Sequence, residues 1–307
     1  MTAGVQTTVK SVNLPLHLIL DEADRDPAVA ADLAREIGAE ACTVRLVRDQ
    51  RYPMVGESDH ELLSRLRCEG LRYYCVSPGT GKIPYDHAAA LRASSEELPR
   101  AVEGAVRIGA GDISVFSWLK SESAAHPACP GDLSPSAPRE QMAETLHLMA
   151  AKAGAAGLTL SIEVGHQCWA DSGRAAWQLI KEADHPALRV LWDPCNAIGG
   201  CIWWSRRTGS AAPTPEANSF LEDDLTALPD CISSVHVRDM VSVPSEPGWA
   251  YVLIGEGILD WPRIVRRLLE RDYQGPLTIE HHMPEAMKAR ATRHTAAYLA
   301  GLGIVKS

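Results

Sequence analysis

GPLTIEHHMP, Gly275 to Pro284, is a short apolar run opened by Gly-Pro and closed by one carboxylate and two imidazoles. GLTLSIEVGH, Gly157 to His166, has nearly the same form: apolar and hydroxyl residues alternate up to Glu163, and His166 follows. Runs of this length, bounded by turn residues, read as strands. Two strands that each end in a glutamate are a repeated arrangement, so the rest of the chain is read for more copies.

Working outward, LPLHLIL (14–20), EACTVRLV (40–47), LRYYCVS (71–77), DISVFSW (112–118), LRVLWD (188–193) and CISSVHV (231–237) join LTLSIE (158–163) and LTIEHH (277–282) as eight strand candidates. Amphipathic stretches separate most of them. DPAVAADLAREIG is a helix with Asp26 as its cap, Pro27 in its first turn and Gly38 as its stop. ESDHELLSRLRCEG and the regions near 87–108, 139–154, 172–183, 260–272 and 285–300 are helical in the same way. The repeat of roughly 30 to 40 residues is the length of a βα unit. Eight such units predict one (β/α)8 barrel domain spanning 1–307. No G-x-G-x-x-G turn follows the first strand, which argues against an open dinucleotide-binding sheet.

Two connections look long and irregular: KSESAAHPACPGDLSPSAP, in a loop near 119–138, and AIGGCIWWSRRTGSAAPTPEANS, in a loop near 197–231. Loops after barrel strands lie on the C-terminal face, where they can form lids or specificity walls. Trp203 and Trp204 indicate that something is covered. The alternative is a surface excursion or an oligomer contact.

Composition narrows the partners. A net charge of -9 with a pI near 5.7 disfavours binding to nucleic acid, which needs concentrated Lys and Arg. The eight cysteines include no C-x-x-C pair, so they read as reduced thiols of a cytoplasmic protein, with Cys42 and Cys75 acting as small apolar residues. MTAGVQTTVK lacks the basic start and apolar core of a signal peptide, and no apolar stretch reaches membrane length. A small uncharged or metal-chelated ligand, with neither nucleic acid nor membrane, is the expectation.

Because side chains alternate across a strand, inner faces can be assigned. Glu163 shares its face with Ser161 and Thr159, and Glu280 shares its face with Thr278. Asp193 ends LRVLWD opposite Leu188, Val190 and Trp192, while His236 and Arg238 oppose Val235 and Val237. Glu163, Asp193, His236 and Glu280 thus end four successive strands, 30, 43 and 44 residues apart. Taken singly, each is readable as a strand-end cap or a buried hydrogen-bonding group. Three carboxylates in one barrel mouth would repel one another and resist ionising unless a cation sat between them. A centre of three carboxylates and one imidazole suits Mn2+, with Mg2+, Co2+ or Zn2+ as alternatives.

At this point the chain resembles the xylose isomerase-like barrels, in particular the sugar phosphate isomerase/epimerase group with its inosose dehydratases, ketose 3-epimerases and hydroxypyruvate isomerases. SIEVGH, LWDPCN, SSVHVRD and LIGEGILDWPRIVRRLLERDYQGPLTIEHH carry the resemblance, with AREIGAEACTVR and GLRYYCVS matching more weakly. It implies that Glu163, Asp193, His236 and Glu280 are metal ligands. It also implies that the metal chelates a sugar's carbonyl and hydroxyl oxygens, and that Glu163 and Glu280 act as base and acid through an enediolate. The implied activity is a sugar or keto-polyol isomerase or epimerase, in a dimer or tetramer. GEGILDW also has a local reading: Asp260 caps a helix, and Gly255 and Gly257 form a tight turn.

The chain departs from that pattern where many members have D-x-x-H: DPCN places Asn196 there, and an amide cannot shuttle a proton. Proton transfer could then fall to His166, His281 or His282. Substrate contacts are expected from His166, Asn196, Arg238 and Arg45, with a rim salt bridge as the alternative for Arg45. SPGTGKIP around Lys82 fails the phosphate-loop pattern at Val76 and Ile83. A lyase expelling a group β to the carbonyl, of inosose-dehydratase or keto-glycoside-cleaving type, shares the first step and is the main alternative. An apurinic-site endonuclease and a noncatalytic sugar-binding barrel rank below it.

Overall fold

Eight strands hydrogen-bond into a closed ring in the computed structural model, which describes residues 13–305 apart from 128, 209–216 and 246. They are β1 (Leu16–Ile19), β2 (Ala41–Val44), β3 (Tyr73–Val76), β4 (Asp112–Phe116), β5 (Thr159–Glu163), β6 (Leu188–Trp192), β7 (Ile232–Val237) and β8 (Leu277–Ile279). Neighbours follow chain order, β8 closes on β1, and every pairing in the ring is parallel. The expected (β/α)8 barrel is the fold.

Helices form where apolar residues recur on one face and a cap supplies the missing acceptor. Asp26 accepts from the Ala28 amide at 2.9 Å ahead of the helix Pro27–Glu36. Asp260 accepts from the Arg263 amide at 3.1 Å, and the helix it opens, Trp261–Glu270, buries Trp261, Ile264, Val265 and Leu268 against the barrel. Each such side chain contributes about 1.5–3 kcal/mol relative to exposure. Cys42 and Cys75 are buried as expected, and none of the eight cysteines is paired.

Below the site, the barrel interior is polar and satisfied by hydroxyls. Buried Asp112 accepts from Thr159 and Ser161, the Ser161 and Ser233 hydroxyls lie 2.7 Å apart, and Ser234 pairs with Thr278 at 2.7 Å. Both Ser233 and Ser234 reach this layer because the β6–β7 register shifts between Val190 and Leu191. His17 also points inward, against Tyr74, and burial lowers its pKa to about 3, so it is neutral.

The long loop expected near 197–231 is mostly helix: Pro194–Thr208 and Ala217–Thr226 are both helical. Residues 191–200 are buried without interruption, so no amphipathic stripe marks the first half of the first helix. Gly199 and Gly200 are needed there for close approach, since a Cβ on either would lie 3.0 Å from His166 or Asp171. The loop near 119–138 does lack helix and strand among its described residues apart from an isolated bridge at Leu119. Trp203 and Trp204 cover an ion pair between Lys120 and Asp171, not the cluster of acids and His236.

Candidate metal centre and substrate cavity

The four strand ends converge. Glu163 closes β5, Asp193 directly follows β6, His236 is in β7 and Glu280 directly follows β8; all four are buried. One potential ligand atom from each lies within 4.8 Å of the other three. His236 Nδ1 is 2.8 Å from Glu280 Oε2, 3.6 Å from Asp193 Oδ2 and 3.9 Å from Glu163 Oε1.

Two of these atoms have no hydrogen-bond partner. His236 Nδ1 and Glu280 Oε2 are buried and face each other, but neither makes a well-angled hydrogen bond among the described residues. Buried polar atoms are normally satisfied, so a pair of donor atoms aimed at one point fits a cation. Three carboxylates and an imidazole are a donor set for a hard or borderline divalent ion.

The electrostatics express the same crowding. Burial lowers the His236 pKa, but the charges of Glu280 and Glu163 and its contact with Asp193 overcome this and raise it to about 10. Burial raises Glu163, with the Glu280 and Asp193 charges adding to it. Glu280 is also desolvated, yet Arg238, His236 and His282 hold it well below the usual carboxylate range. Arg238 is itself buried, bonded to Asp193 and 3.1 Å from Glu280 Oε2.

Asp193 owes its position to helix capping. Its Oδ1 accepts the Asn196 amide at 2.8 Å at the start of Pro194–Thr208, which leaves Oδ2 to face His236 and Arg238. The Asn196 side chain donates to Asp193 Oδ2 at 2.9 Å and to the Val164 carbonyl at 2.8 Å. Its oxygen therefore faces His166 Nδ1 at 3.1 Å, which assigns the proton of the neutral ring to Nδ1 and leaves Nε2 as an acceptor. Burial lowers the His166 pKa to about 4.

The other expected residues divide. Arg45 takes its rim role: it donates to Asp21 and Glu22 at 2.6 Å and to Glu280 Oε1 at 2.7 Å. His281 is held by Glu22, Thr292 and the Met283 amide, away from the cavity lining. His282 lies 3.4 Å from Glu280 Oε1 and lines the cavity. Asp21 and Glu22 carry no signal in the sequence; they lie in the helical turn Leu20–Ala23 that follows β1, where Glu22 also holds the His282 amide at 2.8 Å. Gly255 and Gly257 wrap the Asp239 carboxylate, which accepts both of their amides, so the pair serves the turn.

Above the four residues opens a cavity of about 480 Å³, a size suited to a small molecule. Glu163 and Glu280 line it together with His166, Asn196, Arg238, Arg45 and Tyr251.

A sequence model described as xylose isomerase-like TIM barrel matches residues 31–302. The chain belongs to the xylose isomerase-like TIM barrel family. Solved structures similar to this family member include D-psicose 3-epimerase with D-tagatose from Clostridium cellulolyticum H10, at TM-score 0.67 and 12% identity over 94% of this chain and 99% of that one. A probable 3-DHS dehydratase involved in petrobactin synthesis from Bacillus anthracis matches at TM-score 0.66 and 15% identity, over 93% and 98%. A xylose isomerase-like TIM barrel protein from Mycobacterium smegmatis in complex with magnesium matches at TM-score 0.62 and 18% identity, over 94% and 96%. At such identities the likeness concerns the fold. A search of curated proteins gives no match. No helix among the described residues is long and apolar enough to cross a membrane.

Proposed function

We propose that the protein is a divalent-metal-dependent enzyme that moves a proton on the carbon beside the carbonyl of a small sugar or keto-polyol, as an isomerase or epimerase. The observation that carries this reading is the convergence of Glu163, Asp193, His236 and Glu280 within 4.8 Å, with both glutamates open to the cavity. A bound divalent ion would supply Lewis-acid polarisation of the carbonyl oxygen and stabilise charge that develops on it. Glu163, Asp193, His236 and Glu280 would hold that ion.

The remaining chemistry belongs to the chain's own groups. One glutamate removes the proton and the other returns it, with His236 Nδ1 2.8 Å from Glu280 and 3.9 Å from Glu163 between them. His166 presents Nε2 as an acceptor for a substrate hydroxyl, with Trp249 edge-on at 4.8 Å fixing the ring. Buried Arg238 holds Glu280 ionised.

A lyase using the same first step is the second reading, favoured by Asn196. Its amide is fully engaged by Asp193, Val164 and His166, and an amide cannot shuttle a proton for epimerisation. The test is turnover of a panel of ketoses and 3-keto-glycosides in Mn2+, with product identification. Glu163→Gln and Glu280→Gln should keep the fold and lower kcat by about 10²–10⁴-fold. Full activity in either variant removes that residue from the mechanism; an unsaturated ketone or a released aglycone selects the lyase.

A further inference from the structure

The cavity differs in charge from the chain as a whole. The sequence has 39 acidic and 30 basic residues. Yet Arg45, Arg51, Lys82 and Arg238 line the cavity against two carboxylates, Glu163 and Glu280. Arg45 is committed to Asp21, Glu22 and Glu280, and Arg238 to Asp193 and Glu280. Arg51 and Lys82 form no ion pair among the described residues.

Both cations are carried by elements pinned to the barrel. Arg51 belongs to a short hairpin, Leu46–Val47 with Gln50–Arg51, and its guanidinium lies against Gly79, where a Cβ would be 3.2 Å from Cζ. Lys82 is on the next loop, which is tied to the end of β4: Phe116 N donates to Thr80 O at 2.8 Å, and Leu119 N to Ile83 O at 2.9 Å. Gly81 has φ +84°, and a Cβ there would collide with the Phe116 carbonyl, so only glycine lets this loop sit so close. Lys82 Nζ stands 4.8 Å over the Phe116 ring. Burial and the nearby charge of Arg45 lower the Arg51 pKa, and Asp21 and Glu163 do not offset them.

A neutral sugar would leave Arg51 and Lys82 without a countercharge of their own in the cavity. An anion at the buried end would meet Glu163 and Glu280 instead, and be repelled. We infer that the substrate carries an oxyanion, a carboxylate or a phosphate ester, which Arg51 and Lys82 bind at the outer end of the cavity while its carbonyl end reaches the two glutamates. This rests on the reading of the cavity as the site of proton transfer. Charge-assisted hydrogen bonds to such a group, bidentate for Arg51, supply affinity and set which end enters first.

The test uses matched probes, quinate against myo-inositol and D-ribulose 5-phosphate against D-ribulose, with dissociation constants from isothermal titration of the full chain. At least one anionic probe should bind about tenfold or more tightly than its neutral counterpart. That preference should disappear in the Arg51→Met/Lys82→Met variant, whose exposed sites should leave the melting temperature unchanged. Preference for quinate identifies a carboxylate, and preference for the phosphate ester identifies a phosphate. Equal binding of charged and neutral probes, or a preference that survives the double substitution, overturns the inference. Binding is read without turnover, so the two ideas fail separately. An anion preference in a protein that transforms no carbonyl compound removes the isomerase reading alone. Turnover of neutral ketoses with no anion preference removes the oxyanion alone.

Discussion

Replacing Asn196 by Ala should weaken the metal centre measurably in a protein that still folds. The side chain holds Asp193 Oδ2 at 2.9 Å, the Val164 carbonyl at 2.8 Å and His166 Nδ1 at 3.1 Å. Asn196→Ala leaves the carbonyl and the imidazole N–H without a protein partner, at about 1–3 kcal/mol each if they stay dry. The cavity beside them admits water, so the lower end applies and the loss is about 2 kcal/mol. With an unfolding entropy near 2.1 cal/mol/K per residue, that lowers the melting temperature by roughly 3 °C. Metal affinity responds as well, because Asp193 loses the bond that orients Oδ2, and losing a partner that orients a ligand typically costs 10–100-fold. The Asn196 backbone amide still holds Asp193 Oδ1, so the site weakens but is not abolished. Titration of Mn2+ into chelator-treated wild type and variant reads the affinity, and thermal unfolding reads the fold. A dissociation constant within twofold of wild type would refute the orienting role, and a melting-temperature drop above about 10 °C would show that Asn196 chiefly supports the helix.

Lys120→Met should be strongly destabilising. Lys120 is almost fully buried between Asp171, the His166 carbonyl and the rings of Trp203 and Trp204, and removing it strands the Asp171 charge at about 3–5 kcal/mol. Urea unfolding should show that loss and its recovery by more than half in Lys120→Met/Asp171→Asn; a loss under about 1 kcal/mol would contradict the burial argument. His17 predicts a pH effect of defined sign. Its folded pKa, about 3, lies below its unfolded value of 6.5, so the unfolded chain binds the extra proton and stability falls as pH drops below 6.5. Between pH 7.5 and 5 this contributes about 2 kcal/mol of wild-type pH dependence, which should be missing from His17→Asn. An unchanged dependence in that variant would refute it.

The barrel and its four converging residues were readable because two periodicities agreed. Glu163, His236 and Glu280 sit on faces that alternation assigns directly, and Asp193 ends a strand whose outward residues are all apolar. The rest depended on geometry that spacing does not carry. Asp21 and Glu22 lie in the short helical turn Leu20–Ala23 after β1, and without the Glu-His signature they resemble an ordinary polar turn. Pro194–Thr208 begins with Asp-Pro, the same cap signal as Asp26-Pro27, yet Gly199-Gly200 and the unbroken burial of its first half masked its helical period. Lys82 failed the phosphate-loop pattern, and only the folded loop turns it toward the cavity. The Lys120–Asp171 pair joins residues 51 positions apart through two loops, which no local pattern encodes.

The central claim is that Glu163, Asp193, His236 and Glu280 hold one divalent ion. Elemental analysis of protein purified without chelator, beside an Asp193→Ala/His236→Ala variant, tests it most directly. The wild type should hold close to one Mn, Mg, Co or Zn per chain and the variant none. Wild-type protein that takes up no metal after incubation with Mn2+, or a variant that retains it, would contradict the account.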